Sequence, residues 1–194
     1  MILIIDNHDS FSYNLYQLVG VVNKGTRVVC KDELTIEEIK SLRPSHIIIS
    51  SGPGCPKDLC ICKDVVAELG REIPLLGVGL GHQIICRVFG ATISRAKRLM
   101  HGKQSEVVID NTCLLFQDVP YRIKVALYNS LTVVKDNFPE SLKVISETDD
   151  GEIMAVKHDK YPIYGVQFHP ESILTPDGKH IIQNFLSMTK GALL

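Results

Sequence analysis

The sequence predicts an α/β protein with a mostly parallel central sheet flanked by helices and an added antiparallel layer. Up to about residue 90, short apolar runs alternate with helical patterns, which is the rhythm of a parallel sheet covered by helices. From about Thr92, strand-like runs follow one another with little helix between them, so we expect antiparallel strands packed on the main sheet. The chain of 194 residues is long enough for one domain with a substantial core, and we expect a single domain over residues 1–194.

Four apolar runs separated by turn signals predict the parallel part. The expected strands are Met1–Ile5, Arg27–Cys30, His46–Ile49 and Pro74–Val78. The expected helices are Phe11–Val22, a helix from the capping box Thr35-Ile36-Glu37-Glu38 to a point before Pro44, and a helix around Cys62–Gly70. In this pattern every strand is followed by a loop at the same edge of the sheet.

The later part of the chain predicts short strands and a closing helix. The strand-like runs are Glu106–Ile109, Ile123–Tyr128, Leu131–Val134, Leu142–Ser146, Ile153–Val156 and Ile163–Phe168. A helical pattern over Gly178–Thr189 ends the fold. We find no internal repeat, linker or low-complexity segment.

Composition and charge exclude several function classes. Hydrophobic residues make up 45% and charged residues 22% of the chain, and the net charge is −1. This balance argues against a nucleic-acid or anionic-membrane partner. No apolar run approaches the roughly 20 residues of a membrane span. The opening MILIIDN has no basic segment before its apolar run, so it predicts a first strand and a cytosolic protein.

The cysteines are expected to be free thiols. The six are Cys30, Cys55, Cys60, Cys62, Cys86 and Cys113. A reducing compartment and a chain of this size argue against a disulfide scaffold. Three of them cluster between Cys55 and Cys62, but without a C-x-x-C pair or a nearby histidine, which is a weak metal signal. We therefore expect no metal and no cofactor.

Three loops carry the residues that suggest chemistry. Gly52-Pro53-Gly54, Gly79-Leu80-Gly81 and His169-Pro170-Glu171 each follow a predicted strand. Ligand sites in open α/β sheets lie at the carboxyl ends of the strands. Taken alone, each loop is most simply a turn, a flexible strand exit or a surface loop. Together they predict one site.

The segment PLLGVGLGHQ, residues 74–83, has the form of a strand-to-helix elbow that displays a nucleophile. His169 is suited to be the general base, and the carboxylate of Glu171 to orient it. Backbone N–H groups of Leu80 and of the Gly52–Gly54 loop are suited to bind an oxyanion. The residue at the tip of the elbow, however, is Gly79, which has no side chain.

These motifs resemble those of the class I, triad-type glutamine amidotransferases, and more narrowly the small subunits of anthranilate synthase and aminodeoxychorismate synthase. The matching stretches are Asp6–Phe11, Gly52–Gly54, Gly77–Gln83, Met100–Lys103 and Tyr164–Ser172. The resemblance implies a flavodoxin-like α/β fold and one amidotransferase domain over residues 1–194. The first and fourth stretches favour the chorismate-using branch over guanylate, cytidylate or carbamoyl-phosphate synthesis.

The resemblance also implies a reaction and partners. Such subunits hydrolyse L-glutamine to glutamate and pass ammonia to a large, chorismate-binding synthase subunit, in tryptophan or folate biosynthesis. It places the nucleophile at Gly79, the triad partners at His169 and Glu171, and the oxyanion hole at Gly54 and Leu80. The implied glutamine-binding positions are Gly52, Pro53, Gly54, Gln83, Ser130 and Leu131. No nucleic acid or membrane is implied.

The chain departs from the family pattern at four positions. Gly79 stands at the nucleophile position, Asn129 where the family usually has His, Ser51 where it usually has Pro, and Cys55 where it usually has Thr. Glycine cannot form the thioester of this chemistry, and loss of a covalent nucleophile typically costs several powers of ten in rate. We expect a glutaminase-deficient chain.

Two interpretations of Gly79 stay open. The chain is either an amidotransferase whose nucleophile was lost recently or deliberately, or a catalytically silent subunit that binds glutamine or regulates its partner. The retention of His169 and Glu171 favours the first interpretation. A triad hydrolase of γ-glutamyl compounds is a more distant alternative.

The remaining expectations concern neighbouring residues. Cys86 lies about 10 Å along a helix from Gly79 and is expected in the core, and Cys55 is not expected to replace the nucleophile. His82 is expected to pack, and Gln83 to contact substrate. His101 and Lys103 are expected near the site or the partner surface. Elbow residues are strained by about 1–3 kcal/mol, so Gly79→Cys is predicted to lower stability slightly while restoring chemistry.

Overall fold

The computed structural model describes residues 1–54 and 60–189. In these residues the strands are β1 (Ile2–Asp6), β2 (Thr26–Cys30), β3 (His46–Ile49), β4 (Leu75–Val78), β5 (Ile93–Ile109), β6 (Arg122–Val133), β7 (Leu142–Glu147), β8 (Ile153–His158) and β9 (Ile163–Val166). The α-helices are α1 (Ser12–Val22), α2 (Ile36–Leu42), α3 (Cys60–Asp64), α4 (Leu80–Val88) and α5 (Gly178–Ser187). A π-helical turn, Val65–Leu69, continues α3, and a 3-10 turn spans Leu114–Phe116.

The helices begin and end where local chemistry dictates. The predicted capping box of α2 is present, because the Thr35 side chain accepts from the Glu38 N–H and Glu38 binds back to the Thr35 N–H. The helix ends at Arg43, which is left-handed at φ +48°, just before Pro44. The predicted Cys62–Gly70 helix is instead α3 plus the π-helical turn, closed by the Gly70 N–H donating to the carbonyl oxygen of Val65 at 3.0 Å.

The strands form one sheet in the order β2-β1-β3-β4-β9-β8-β7-β5-β6. The first five are parallel, and the rest pair antiparallel from β9 onward. The predicted antiparallel part is present, but it does not form an added layer packed on the main sheet. Strand β9 pairs parallel with β4 on one side and antiparallel with β8 on the other, so the antiparallel strands extend the same sheet.

The hairpin of β5 and β6 is much longer than predicted. Sequence patterns indicated only Glu106–Ile109 for the first strand, and two separate runs for the second. The two strands pair from Ile93↔Val133 to Val108↔Arg122, with irregularities between Arg95 and Met100 and between His101 and Lys103. Polar residues inside the hairpin remain in the strand because the partner strand satisfies their backbone groups.

The parallel strands are apolar throughout because both faces of the sheet are covered. Successive side chains of a strand point to opposite faces. In β1, Ile2 and Ile4 pack into a core cluster that contains α1 and α5 residues, whereas Leu3 and Ile5 pack into one that contains α2 and α4 residues. Because these strands pair parallel, their carboxyl ends lie at one edge of the sheet. Within the part of the chain that the structure describes, no helix is long and apolar enough to cross a membrane.

Candidate active site

A cavity of about 520 Å³ lies at the carboxyl ends of β3, β4 and β9. The loop after β1 and the far end of β6 complete its wall. The structure places these sequence-predicted site residues in its lining: Gly52, Pro53, Gly54, Gly79, Leu80, Gln83, Ser130, Leu131 and His169. Glu171 joins them through its contact with His169. The three loops that the sequence singled out therefore meet at one place.

The elbow between β4 and α4 requires its flanking glycines. A Cβ on Gly77 would lie 2.4 Å from the carbonyl carbon of Gly81, and a Cβ on Gly81 would lie 2.4 Å from the carbonyl oxygen of Ile49. Only glycine permits such close approach of strand and helix. At the tip, Gly79 has φ +56° and ψ −105°, and its N–H donates to the carbonyl oxygen of Val166 at 2.8 Å. The tip has the backbone conformation of a nucleophile elbow, which glycine adopts with little strain.

His169 and Glu171 form a buried pair that faces this tip. The Nδ1 of His169 lies 2.6 Å from Oε1 of Glu171, and the two side chains are 4% and 2% exposed. Backbone contacts fix the loop, because the His169 N–H donates to Ala126 and the Thr175 hydroxyl donates to the His169 carbonyl oxygen. A Cβ on Gly79 would lie 3.3 Å from Nε2 of His169. The imidazole thus offers its free nitrogen to any side chain at the tip.

Two aromatic rings and one carboxylate around the imidazole were not singled out from sequence. The ring of Tyr128 lies 4.9 Å from that of His169 and the ring of Phe11 lies 6.3 Å away, both edge-on. This is a favoured aromatic geometry that limits movement of the imidazole. Asp9 also lines the cavity, and partial burial raises the pKa of its carboxyl.

The Gly52–Gly54 loop is pinned against the end of β1. The Asn7 side chain donates to the carbonyl oxygen of Ser50 at 2.9 Å, and the Asn7 N–H donates to the Ser50 hydroxyl at 3.0 Å. A Cβ on Gly52 would lie 2.4 Å from the carbonyl oxygen of Asn7, so this position accepts only glycine. Gly54 has φ +110°, which also favours glycine. The loop is therefore held rigidly beside the elbow.

Gln83 connects the elbow helix to the opposite wall. Its side-chain amide donates to the carbonyl oxygen of Leu131 at 3.1 Å and to Oε1 of Gln167 at 3.0 Å. On the rim, Nε2 of His101 lies 2.9 Å from the hydroxyl of Ser130. Asn129 is buried and donates to Leu131 at 3.1 Å. Each predicted glutamine-binding position on this wall is thus fixed by a neighbour.

Two buried thiols, Cys86 and Cys62, are unsuited to act as a nucleophile in this site. Cys86 lies in the core with no exposed surface, and burial raises the pKa of its thiol. Burial also raises the pKa of Cys62 to about 12, and its thiol donates to Oδ1 of Asn7. Cys55 lies outside the described residues, so its predicted inability to act as nucleophile stays a prediction. Among residues 1–54 and 60–189 no cluster of metal-ligating side chains was found.

His82 packs as expected, whereas Lys103, which was expected near the site or the partner surface, does not line the cavity. His82 is fully buried beneath the elbow, and burial lowers the pKa of its imidazole to about 3. It is therefore neutral and packs against Gly165. Lys103 is exposed on β5, close to His101.

The fold and the cavity define an α/β protein in which an elbow faces a histidine–carboxylate pair, an arrangement that serves acyl transfer. The family model described as glutamine amidotransferase class-I matches residues 3–188, and the chain belongs to this family. The resemblance recognised in the motifs is confirmed.

Individual relatives and solved structures agree with this assignment. The chain is 46% identical to anthranilate synthase component 2 of Cyanophora paradoxa, covering 96% of this chain and 98% of the relative. It is 43% identical to aminodeoxychorismate/anthranilate synthase component 2 of Bacillus subtilis, covering 96% and 95%. It spans only 32% of the bifunctional protein TrpGD of Thermotoga maritima, at 46% identity over 96% of its own length.

The solved structures confirm the predicted fold class. A glutamine amidotransferase from Thermotoga maritima superposes with a TM-score of 0.74 at 18% identity, covering 95% of each chain. A protein from Thermoplasma acidophilum gives a TM-score of 0.80 at 23% identity, covering 95% of this chain and 91% of that one.

Proposed function

We propose that this protein is the glutamine amidotransferase subunit of a chorismate-aminating synthase, with its glutaminase silenced at Gly79. The similarity to component 2 subunits over nearly the whole chain supports the assignment. The proposed partner is a large, chorismate-binding synthase subunit in tryptophan or folate biosynthesis. The single domain over residues 1–194 and the cytosolic location remain predictions.

One observation carries the proposal. The free nitrogen of His169 lies 3.3 Å from the point where a Cβ on residue 79 would sit, and its other nitrogen is held by buried Glu171. A base aimed at the tip of an elbow serves no purpose in a purely structural subunit. This geometry therefore supports an ancestry in nucleophilic amide hydrolysis.

The reaction that the site is built for can be written from its residues. A thiolate at position 79 would attack the γ-carbonyl carbon of glutamine, forming a C–S bond. The N–H groups of Leu80 and Gly54 would bind the oxyanion. His169, having taken the proton of the thiol, would then give it to the departing ammonia, and as a base it would activate the water that cleaves the thioester into glutamate and the free thiol. With Gly79 the C–S bond cannot form, so the proposed activity of this chain is glutamine binding without turnover.

A second candidate function is a glutamine-binding regulatory subunit of a synthase that uses free ammonia. Gly79 itself favours this candidate, because glycine removes the reaction and leaves the cavity in place. The positions proposed to hold glutamine are Gly52, Pro53, Gly54, Gln83, Ser130 and Leu131. The two candidates differ only in whether a restored thiol is competent.

The experiment compares ammonia release from glutamine by the native chain and by Gly79→Cys, each with a large synthase subunit. Gly79→Ala is the matched control, because it carries the backbone strain without the thiol. We expect no turnover from the native chain or the control, and turnover several powers of ten higher from Gly79→Cys. If all three bind the large subunit and none turns over, even when Ser51→Ala is added to Gly79→Cys, the regulatory candidate replaces the first. If none binds it, the synthase assignment is wrong.

A further inference from the structure

Ser51 occupies the space that a side chain on the elbow would need. A Cβ on Gly79 would lie 2.5 Å from the hydroxyl oxygen of Ser51 and 3.0 Å from its Cβ. Ordinary van der Waals contact for a Cβ begins at about 3.4 Å. The Leu80 N–H, one of the two expected oxyanion donors, points at the same hydroxyl over a long 3.5 Å contact. The Ser51 side chain therefore stands at the place of the nucleophile.

The backbone on both sides of Ser51 is held in place, so it cannot easily move away from the elbow. On one side, Ser50 is held by two hydrogen bonds to Asn7, and its own N–H donates to the carbonyl oxygen of Ile5 at 3.0 Å. On the other side, Gly52 sits against the carbonyl oxygen of Asn7. The hydroxyl can rotate away only by giving up its contact with the Leu80 N–H, and the Ser51 Cβ, which the backbone holds, would still lie 3.0 Å from a Cβ on residue 79.

We propose that Ser51 is a second determinant of the silenced site, coupled to position 79: its side chain keeps the nucleophile position closed. Gly79→Cys alone then produces a strained elbow with a poorly placed thiol. Removal of the Ser51 hydroxyl opens the position and lets the thiol reach its place beside His169. The catalytic half of this inference rests on the proposed function, whereas the steric half does not.

The steric half is tested by stability alone. The native chain, Ser51→Ala, Gly79→Cys and the double variant form a double-mutant cycle. Because alanine lacks the atom at 2.5 Å, we expect Gly79→Cys to lower the melting temperature by about 2–4 °C more in the Ser51 background than in the alanine background. Ser51→Gly also removes the Cβ at 3.0 Å, so it is expected to relieve the strain further. Equal losses in the serine and alanine backgrounds would overturn the coupling.

The reactive half is tested on the introduced thiol. Its alkylation by iodoacetamide and the release of ammonia from glutamine are expected to be at least tenfold faster in the Ser51→Ala/Gly79→Cys variant than in Gly79→Cys. The control is Ser10→Ala/Gly79→Cys, which removes a hydroxyl from the same cavity. An equal gain from Ser10→Ala would refute a role specific to Ser51.

The two proposals fail in different ways. If the cycle shows coupling and alkylation accelerates but no variant releases ammonia, the inference about Ser51 stands and the amidotransferase function fails. If Gly79→Cys alone releases ammonia as fast as the double variant and no coupling is found, the function stands and the inference about Ser51 is wrong.

Discussion

The two walls of the cavity differ in how many of the side chains needed for the proposed reaction they present. The base wall, His169 and Glu171, keeps a 2.6 Å contact, nearly complete burial and an imidazole directed at the elbow. The elbow wall, Ser51 and Gly79, keeps its backbone conformation but offers a hydroxyl from the neighbouring loop where a nucleophile would stand. The base wall thus has both the side chains and the geometry that the proposed reaction needs, whereas the elbow wall has only the backbone geometry.

This difference shows that the fold, and not the reaction, holds the base wall together. The loop of His169 is fixed by the backbone of Ala126 and by the hydroxyl of Thr175, and neither contact depends on residue 79. A glycine at position 79 therefore does not loosen the base. The predictions below break or sharpen this comparison, from the largest expected effect to the smallest.

The base wall should account for most of any activity that is restored. In the Ser51→Ala/Gly79→Cys background, His169→Ala is expected to lower ammonia release by about 10²–10⁴-fold, because a positioned general base contributes that much. Glu171→Gln keeps the shape of the carboxylate without its charge and should cost less. Steady-state glutaminase assays measure both. Full activity of the His169→Ala variant would show that His169 is not the general base, although its Nε2 lies 3.3 Å from the place of a Cβ on residue 79.

On the elbow wall, backbone packing should dominate stability. Gly81→Ala is expected to cost about 3 kcal/mol in the free energy of unfolding, because its Cβ would meet the carbonyl oxygen of Ile49 at 2.4 Å. Gly90→Ala is the matched control, since Gly90 has φ +97° with nothing within 4 Å of a Cβ. It should cost only about 1 kcal/mol, from backbone strain. Equal losses in urea unfolding would contradict the packing argument.

Beneath the elbow, His82 should make the protein sensitive to mild acid. Its pKa is lowered to about 3 by burial, so below the ordinary value of about 6.5 the unfolded chain binds a proton that the folded chain does not. Stability is therefore full above pH 6.5 and falls as the pH drops toward 3. The loss expected from this group at pH 5 is on the order of 1–2 kcal/mol.

The variant His82→Gln checks this assignment. Unfolding free energies at pH 7 and pH 5 should differ less for the variant than for the native chain. His46 and His158, whose pKa values burial also lowers, are present in both proteins and cancel in the comparison. An unchanged pH dependence would place the acid sensitivity elsewhere.

The smallest effect is expected on the rim. His101→Ala removes the partner of the Ser130 hydroxyl, and a single hydrogen bond of this kind contributes about 0.5–1.5 kcal/mol. Glutamine binding to the native elbow, measured by calorimetry, should weaken a few-fold. Lys103→Ala, on the same strand and exposed, is the control. A loss as large for Lys103→Ala would show that charge, and not the Ser130 contact, matters at the rim.

The sequence predicted elements whose signals are local. The strand His46–Ile49 and the Thr35–Glu38 capping box agree with the structure residue by residue, because burial pattern and cap chemistry act over a few neighbours. The hairpin of β5 and β6 was underestimated, because its length depends on pairing between distant segments. No local pattern records that pairing.

In the site too, features with local sequence signals were predicted, and contacts between distant segments were not. The three loops with Gly54, Gly79 and His169 were predicted to meet, because strand ends of a parallel sheet share one edge. The position of Ser51 was not predicted, since its contact with the elbow joins two loops that approach only in the folded chain. Phe11 and Tyr128 escaped notice for the same reason.

The hydrogen bond from the Gly79 N–H to the carbonyl oxygen of Val166 has a mechanical consequence. It joins the tip of the elbow to the end of β9, the strand that leads into His169. We therefore expect the two sides of the cavity to move as one rigid unit. Local opening of the outer strands is therefore expected to shift both sides together and to leave the distance between them unchanged. Destabilising substitutions elsewhere in the molecule should thus lower its melting temperature before they alter the distance between His169 and the tip of the elbow.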